Sequence, residues 1–202
     1  MSDVRIDAAV TSGTFSLDGE TFDVDNNVWV IGNDEECLVI DAPHNVADIE
    51  RVIAGRRVLA VVCTHAHDDH VRVAPDLAAA VDAPVLLHPA DLPLWRLTHS
   101  GLPPDGDLAD GQRLVVGDTG VEVLHTPGHA PGAVCLYVEK LGVVFTGDTL
   151  FKGGPGATGR SFSDADALID SIRTKLLALP PETVVHPGHG ESTTLAAEAD
   201  LP

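Results

Sequence analysis

The stretch that most constrains this chain is Thr64-His65-Ala66-His67-Asp68-Asp69-His70, three histidines and two aspartates within six residues. The apolar, β-branched run Val58-Leu59-Ala60-Val61-Val62-Cys63 feeds into it and reads as a buried strand. The imidazoles therefore stand where a strand ends and the chain turns. A solvated turn has little use for them, whereas a divalent metal takes imidazole nitrogen and carboxylate oxygen as its usual ligands. In an extended segment His65 and His67 point the same way, because side chains repeat every two residues. Asp69 and His70 follow the turn and point elsewhere, so H-x-H-x-D-H suits two metals better than one. The competing reading is a polar turn with chance histidines.

A chain of 202 residues is expected to form one domain, residues 1–202, able to bury most of its apolar surface. With 12 Lys+Arg against 31 Asp+Glu its formal charge is −19, a field that repels phosphate backbones and anionic lipid. The expected partner is a small molecule, not nucleic acid or a membrane. Cys37, Cys63 and Cys135 are odd in number and sit in apolar, strand-like surroundings, which reads as small core residues in a reducing compartment. No basic-then-apolar leader opens the sequence and no apolar run is long enough to span a bilayer, so a cytoplasmic location is expected.

Short strands are expected at 4–10, 14–17 and 26–31, with Gly13, Gly19 and Gly32 as turn punctuation, and at 37–40, ending in Asp41-Ala42-Pro43-His44. Asp41 is placed to orient a ligand histidine through its carboxylate or to cap a turn; His44 reads as a bystander or a substrate-side residue. Helical spacing covers 46–54 and 75–80, a strand 85–87, and a short helical segment 90–97; 100–111 reads as loop. His88 and His99 read as surface or capping residues. In the second half, strands at 120–124, 133–138, 143–145 and 183–185 surround a helix at 164–179. The strand ends deliver His125-Thr126-Pro127-Gly128-His129, Thr146-Gly147-Asp148-Thr149 and His186-Pro187-Gly188-His189-Gly190. In the two Pro-Gly-His turns proline stops the strand, glycine permits the bend and histidine is presented at it. Sites in α/β proteins gather at such C-terminal strand ends.

The series H-x-H-x-D-H, T-P-G-H, T-G-D-T and P-G-H-G closely resembles the metallo-β-lactamase superfamily, most of all its glyoxalase II-type hydrolases, over roughly residues 22 to 194. The resemblance implies an α/β fold of the αββα sandwich type, with two mixed sheets face to face and helices outside. It implies His65, His67 and His129 on one metal, Asp69, His70 and His189 on a second, and Asp148 bridging the two. Two divalent ions are implied, zinc first, with iron or manganese as alternatives. His125 and His186 read as supporting or structural residues, and Asp68 stays outside the ligand set.

The function so implied is hydrolysis of a small thiol's thioester by a hydroxide held between the ions, with Asp69 orienting that hydroxide and handling a proton. A thiolate leaves without an acid, which favours a thioester over an amide. Thirteen residues follow His189, so the long helical segment of glyoxalase II is expected to be absent. The loop Leu150–Arg160 is similar to that of family members from high-GC Gram-positive bacteria, which implies a mycothiol thioester, with Lys152 and Arg160 meeting an anionic or sugar group or lying solvated. Three other readings stay open: a mononuclear iron persulfide dioxygenase, a lactonase or β-lactamase, and a metal-binding sensor without turnover.

Overall fold

The computed structural model describes residues 3–200. The first half of the chain builds one six-stranded sheet, in the spatial order β1 (Arg5–Leu17), β2 (Glu20–Gly32), β3 (Glu36–Ile40), β4 (Arg57–Val62), β5 (Val85–Leu87), β6 (Gly106–Asp107). The first three strands are antiparallel and β3 to β6 are parallel. Parallel neighbours need crossovers, and these carry α1 (Val46–Ile53), α2 (Asp68–Val71), α3 (Ala74–Val81) and α4 (Leu92–Thr98).

The second half builds a second six-stranded sheet. β7 (Arg113–Val116), β8 (Thr119–His125), β9 (Val134–Val138) and β10 (Val143–Gly147) form an antiparallel meander. A small ribbon, β11 (Leu150–Phe151) with β12 (Gly154–Pro155), and helix α5 (Ala165–Ser171) follow. The chain then returns as β13 (Val184–Pro187), parallel to β10, with β14 (Thr193–Thr194) at the edge.

Alternation along the strands divides the interior into three apolar layers. On β4, Val61 packs towards the helices of the first half, while Ala60 and Val62 face the other sheet. The middle layer joins Ile31, Leu38, Ile40 and Val62 to Val123, Leu136 and Phe145 from the second sheet. The outer layer on the far side sets Val144 and Val185 against Leu168, Ile172 and Leu176. Strands apolar on both faces belong between two covered layers, and the result is the expected αββα sandwich.

The structure departs from the sequence reading in local details. The expected strands at 4–10 and 14–17 are one 13-residue strand, and Gly13 lies inside it instead of at a turn. The expected helix 164–179 is α-helical only over Ala165–Ser171, then widens to a π turn over Ile172–Leu176, closed by Leu177 N–H donating to Ile172 O at 2.9 Å. Ile172 and Leu176 both stay fully buried through it. Strand β7, α2 and the β11–β12 ribbon were not expected. Cys37, Cys63 and Cys135 are buried free thiols, and burial raises the pKa of each. Among the described residues no helix is long and apolar enough to cross a membrane.

Candidate metal centre

The carboxyl ends of β4, β8, β10 and β13 open onto one edge of the sandwich, and each ends in a short turn that presents a donor. His65 and His67 follow β4, and His67 immediately precedes α2, whose first turn carries Asp69 and His70. His129 follows β8, Asp148 follows β10 and His189 follows β13. All seven residues of the sequence reading meet here.

The donors fall into two groups. His65 Nε2 and His129 Nε2 each lie 3.0 Å from His67 Nδ1. His70 Nε2 lies 3.2 Å from His189 Nε2, and Asp69 Oδ2 is 3.3 Å from His189 Nε2 and 3.7 Å from His70 Nε2. Asp148 stands between the groups: Oδ1 is 3.3 Å from His70 Nε2, and Oδ2 is 3.4 Å from His189 Nε2 and 3.6 Å from His129 Nε2. His65, His67 and His129 offer atoms mutually within 4.8 Å, as do Asp69, His70 and His189.

Outer hydrogen bonds decide which ring nitrogen faces inward. His129 Nδ1 donates to Ala157 O at 2.8 Å, and His189 Nδ1 donates to Asp25 O at 2.7 Å. His70 Nδ1 donates to Asp41 Oδ2 at 2.8 Å. The Thr64 hydroxyl gives its only proton to Asp41 Oδ2 at 2.8 Å, so at 3.2 Å it accepts from His65 Nδ1. A neutral imidazole carries one proton, so each of these four rings turns an Nε2 lone pair into the site. His67 is reversed, with Nδ1 inward. Lone pairs converging at 3.0 Å repel unless a cation lies between them, and buried Asp148 Oδ1 makes no hydrogen bond. The donor set thus fits divalent ions, nitrogen and carboxylate oxygen being what zinc or iron takes.

The two groups differ in charge. Burial, then the neighbouring imidazoles, lowers the pKa of His65 and takes that of His67 to about 3. Burial opposes the charged form of His70 and His189 too, but the carboxylates of Asp148 and Asp69 win, raising His70 well above its ordinary value and His189 to about 10. Asp69 is held down at about 2 against its burial, chiefly by His70.

The supporting residues divide clearly. Asp41 orients His70, one of the two roles the sequence allowed. His44 does not line the cavity; its Nε2 lies 2.8 Å from Asn26 Oδ1, behind the second donor group. Asp68 stays outside, accepting from Ser16 N–H and pairing with Arg72. His88 and His125 stack at 4.0 Å, and His125 Nε2 donates to Pro131 O, so both are structural. His186 bonds Ser192 and packs on Trp29. The sequence reading missed Asn26, buried in β2, whose Nδ2 donates to Asp69 Oδ2 at 3.0 Å; the available signal was an asparagine pair in an apolar strand, where asparagine is disfavoured. It also missed the grip of β2 on the last turn, where Asn27 N–H donates to Gly188 O at 2.7 Å and Trp29 Nε1 donates to Pro187 O at 2.9 Å.

A cavity of about 410 Å³ lies over the donors. Phe15, Val24, Phe151 and Ala157 wall it, and Arg160, Ser161 and Ser163 face it from the loop that follows β12. The Arg160 guanidinium lies 4.7 Å from the Phe22 ring centre and 5.8 Å from that of Phe15, and pairs with Glu20 at 2.7 Å. Lys152 instead pairs with Glu191 outside the cavity lining.

A family model described as the metallo-beta-lactamase superfamily matches residues 21–189. Probable metallo-hydrolase YqgX of Bacillus subtilis is 35% identical over 188 residues, 86% of this chain and 89% of that protein. Hydroxyacylglutathione hydrolase GloC of Haemophilus influenzae is 34% identical over 190 residues, 85% of this chain and 89% of its own. The crystal structure of TTHA1623 in a di-iron-bound form superposes with a TM-score of 0.78 at 39% identity, over 88% of this chain and 93% of that one. ETHE1 from Myxococcus xanthus gives 0.73 at 25% identity, over 94% and 82%.

Proposed function

The chain belongs to the metallo-beta-lactamase superfamily, and we propose that within it this protein is a dinuclear metal hydrolase cleaving the thioester of a small thiol. The observation that carries this reading is the position of Asp148 between the donor groups: Oδ1 is 3.3 Å from His70 Nε2, and Oδ2 lies between His189 Nε2 at 3.4 Å and His129 Nε2 at 3.6 Å. One carboxylate serving two three-donor groups suits a pair of ions. His65, His67 and His129 would hold one, Asp69, His70 and His189 the other, and Asp148 both. Bound there, divalent ions supply an acidified water and a polarised substrate carbonyl.

The chain's own groups account for the rest. Asp69, with its pKa held low, stays a carboxylate at neutral pH and can accept a hydrogen bond that orients a nucleophilic water. The apolar walls from Phe15, Val24 and Phe151 exclude bulk water around the acyl group and strengthen each polar contact at the cavity floor. No described lining residue besides the candidate ligands is a carboxylic acid or imidazole except Asp25, so leaving-group protonation has little provision, and a thiolate needs none. GloC is named a hydroxyacylglutathione hydrolase, which supports a thioester. On the thiol half, the loop likeness favours mycothiol, with Arg160, Ser161 and Ser163 lining the side that would receive it.

Metal analysis coupled to a thioester panel tests the reading. Close to two metal equivalents per chain, thioester hydrolysis, and faster turnover of mycothiol than glutathione thioesters are expected. Comparable rates on both thiols overturn the mycothiol assignment alone. The likeness to ETHE1 keeps a second reading, an iron persulfide dioxygenase; one equivalent of iron, oxygen consumption with a persulfide and no hydrolysis would establish it instead.

A further inference from the structure

Asn26 and His44 belong to no donor group, yet they touch the second one in series. Asn26 is 1% exposed in β2. Its Nδ2 lies 3.0 Å from Asp69 Oδ2, 3.4 Å from His70 Nε2 and 3.4 Å from His189 Nε2, so it faces all three donor atoms of the second group and none of the first. We infer that Asn26, its amide locked by His44, is a positioning residue that presets the Asp69–His70–His189 group for its ion; this rests on the dinuclear reading above.

The orientation follows from partner chemistry. An ionised carboxylate only accepts, so the Asn26 atom facing Asp69 is the NH2 group and Oδ1 points the other way. Oδ1 meets His44 Nε2 at 2.8 Å, so that nitrogen carries the proton and Nδ1 the lone pair. His44 Nδ1 is buried without a hydrogen-bond partner. It rests on Gly13, where an added Cβ would stand 2.3 Å from Nδ1 and 2.5 Å from Cγ. A glycine inside a strand costs stability and marks a close approach, and here the approach is that of the His44 ring. Burial, then the charge of Arg72, lowers the pKa of His44, which keeps the ring singly protonated. Gly13, His44 and Asn26 thus form a stack that ends on Asp69. Without it, the Asp69 carboxylate loses the buried amide donor that holds it in register beside His70 and His189 before an ion arrives.

Zinc titration of the full-length protein against a competing chelator tests this, with thermal unfolding of the metal-free form as a folding control. The wild type is expected to bind two equivalents. Asn26→Leu and His44→Leu should weaken one equivalent by about 10–100-fold, the usual cost of losing a partner behind the ligands, and leave the other unchanged. His44→Gln, whose amide N–H replaces Nε2–H, should recover most of the loss, and Gly13→Ala should behave like His44→Leu. Two unchanged affinities in Asn26→Leu, equal weakening of both, or a His44→Gln no better than His44→Leu would overturn the proposal while leaving the dinuclear reading intact. A wild type that binds fewer than two equivalents would remove that reading and the proposal together.

Discussion

Asp41 Oδ2 accepts from His70 Nδ1 and from the Thr64 hydroxyl, each at 2.8 Å, while Oδ1 accepts from Thr64 N–H at 2.7 Å. One buried carboxylate therefore fixes two rings, His70 directly and His65 through Thr64. Asp41 itself sits at φ 63°, a left-handed conformation that asparagine also tolerates. Asp41→Asn keeps the backbone but turns an NH2 towards a donor. Metal affinity is expected to fall about 10–100-fold and stability by about 1–3 kcal/mol, read by chelator competition and denaturant unfolding.

Gly188 passes directly against the donors. A Cβ there would stand 2.5 Å from Asp148 Oδ1 and 2.7 Å from His70 Cε1. Gly188→Ala must push Asp148 or the last turn aside. We expect metal binding to weaken by at least about tenfold, with loss of turnover to match, while the circular dichroism of the folded protein is retained.

Asp91, fully buried, ties two donor loops together by accepting from Ala66 N–H at 2.8 Å and from Gly132 N–H. Burial outweighs these donors and raises its pKa from 3.8 to about 6. The folded state therefore holds this proton more tightly than the unfolded chain. The residue's stabilising contribution is full below the unfolded value and is lost as pH rises through the folded one. The stability advantage of wild type over Asp91→Asn should thus shrink between about pH 4 and about pH 7, as followed by urea unfolding at each pH. An advantage that grows with pH would contradict this.

Arg160 is the one lysine or arginine among the described residues lining the cavity. Its pair with exposed Glu20 is weak by nature, and stacking on Phe22 and Phe15 holds the guanidinium at the mouth. Arg160→Ala is expected to raise KM for the preferred thioester about three- to tenfold, the worth of about 1 kcal/mol of such contact, with kcat within about twofold. An unchanged KM across the thioester panel would remove Arg160 from substrate recognition.

The candidate donors were legible because their spacing follows strand ends: each stands within seven residues of an apolar run, and proline and glycine mark the stop before His129 and His189. Asp41 was legible by place, with two roles left open between which only the fold decides, by setting β3 beside β4. Asn26 and His44 were not, because their meaning lies in a contact between residues 18 apart, one reading as the start of a strand. Gly13 misled for the same reason: a strand glycine resembles a turn until the ring packed on it is seen. The π turn after α5 leaves no local trace, since its apolar positions suit an ordinary helix equally well.

The grip of β2 on the final turn sets an order of events during synthesis. Asn27 and Trp29 leave the ribosome early, yet their partners at Pro187 and Gly188 arrive almost last. His65, His67 and His129 have all emerged well before His189, so a nascent chain holds the makings of one ion-binding group long before the other can exist. The N-terminal hairpin must wait, its amide and indole donors served by solvent, until the closing turn docks on it. On the dinuclear reading, the group that includes His189 can take its ion only once the polypeptide has been made to residue 189.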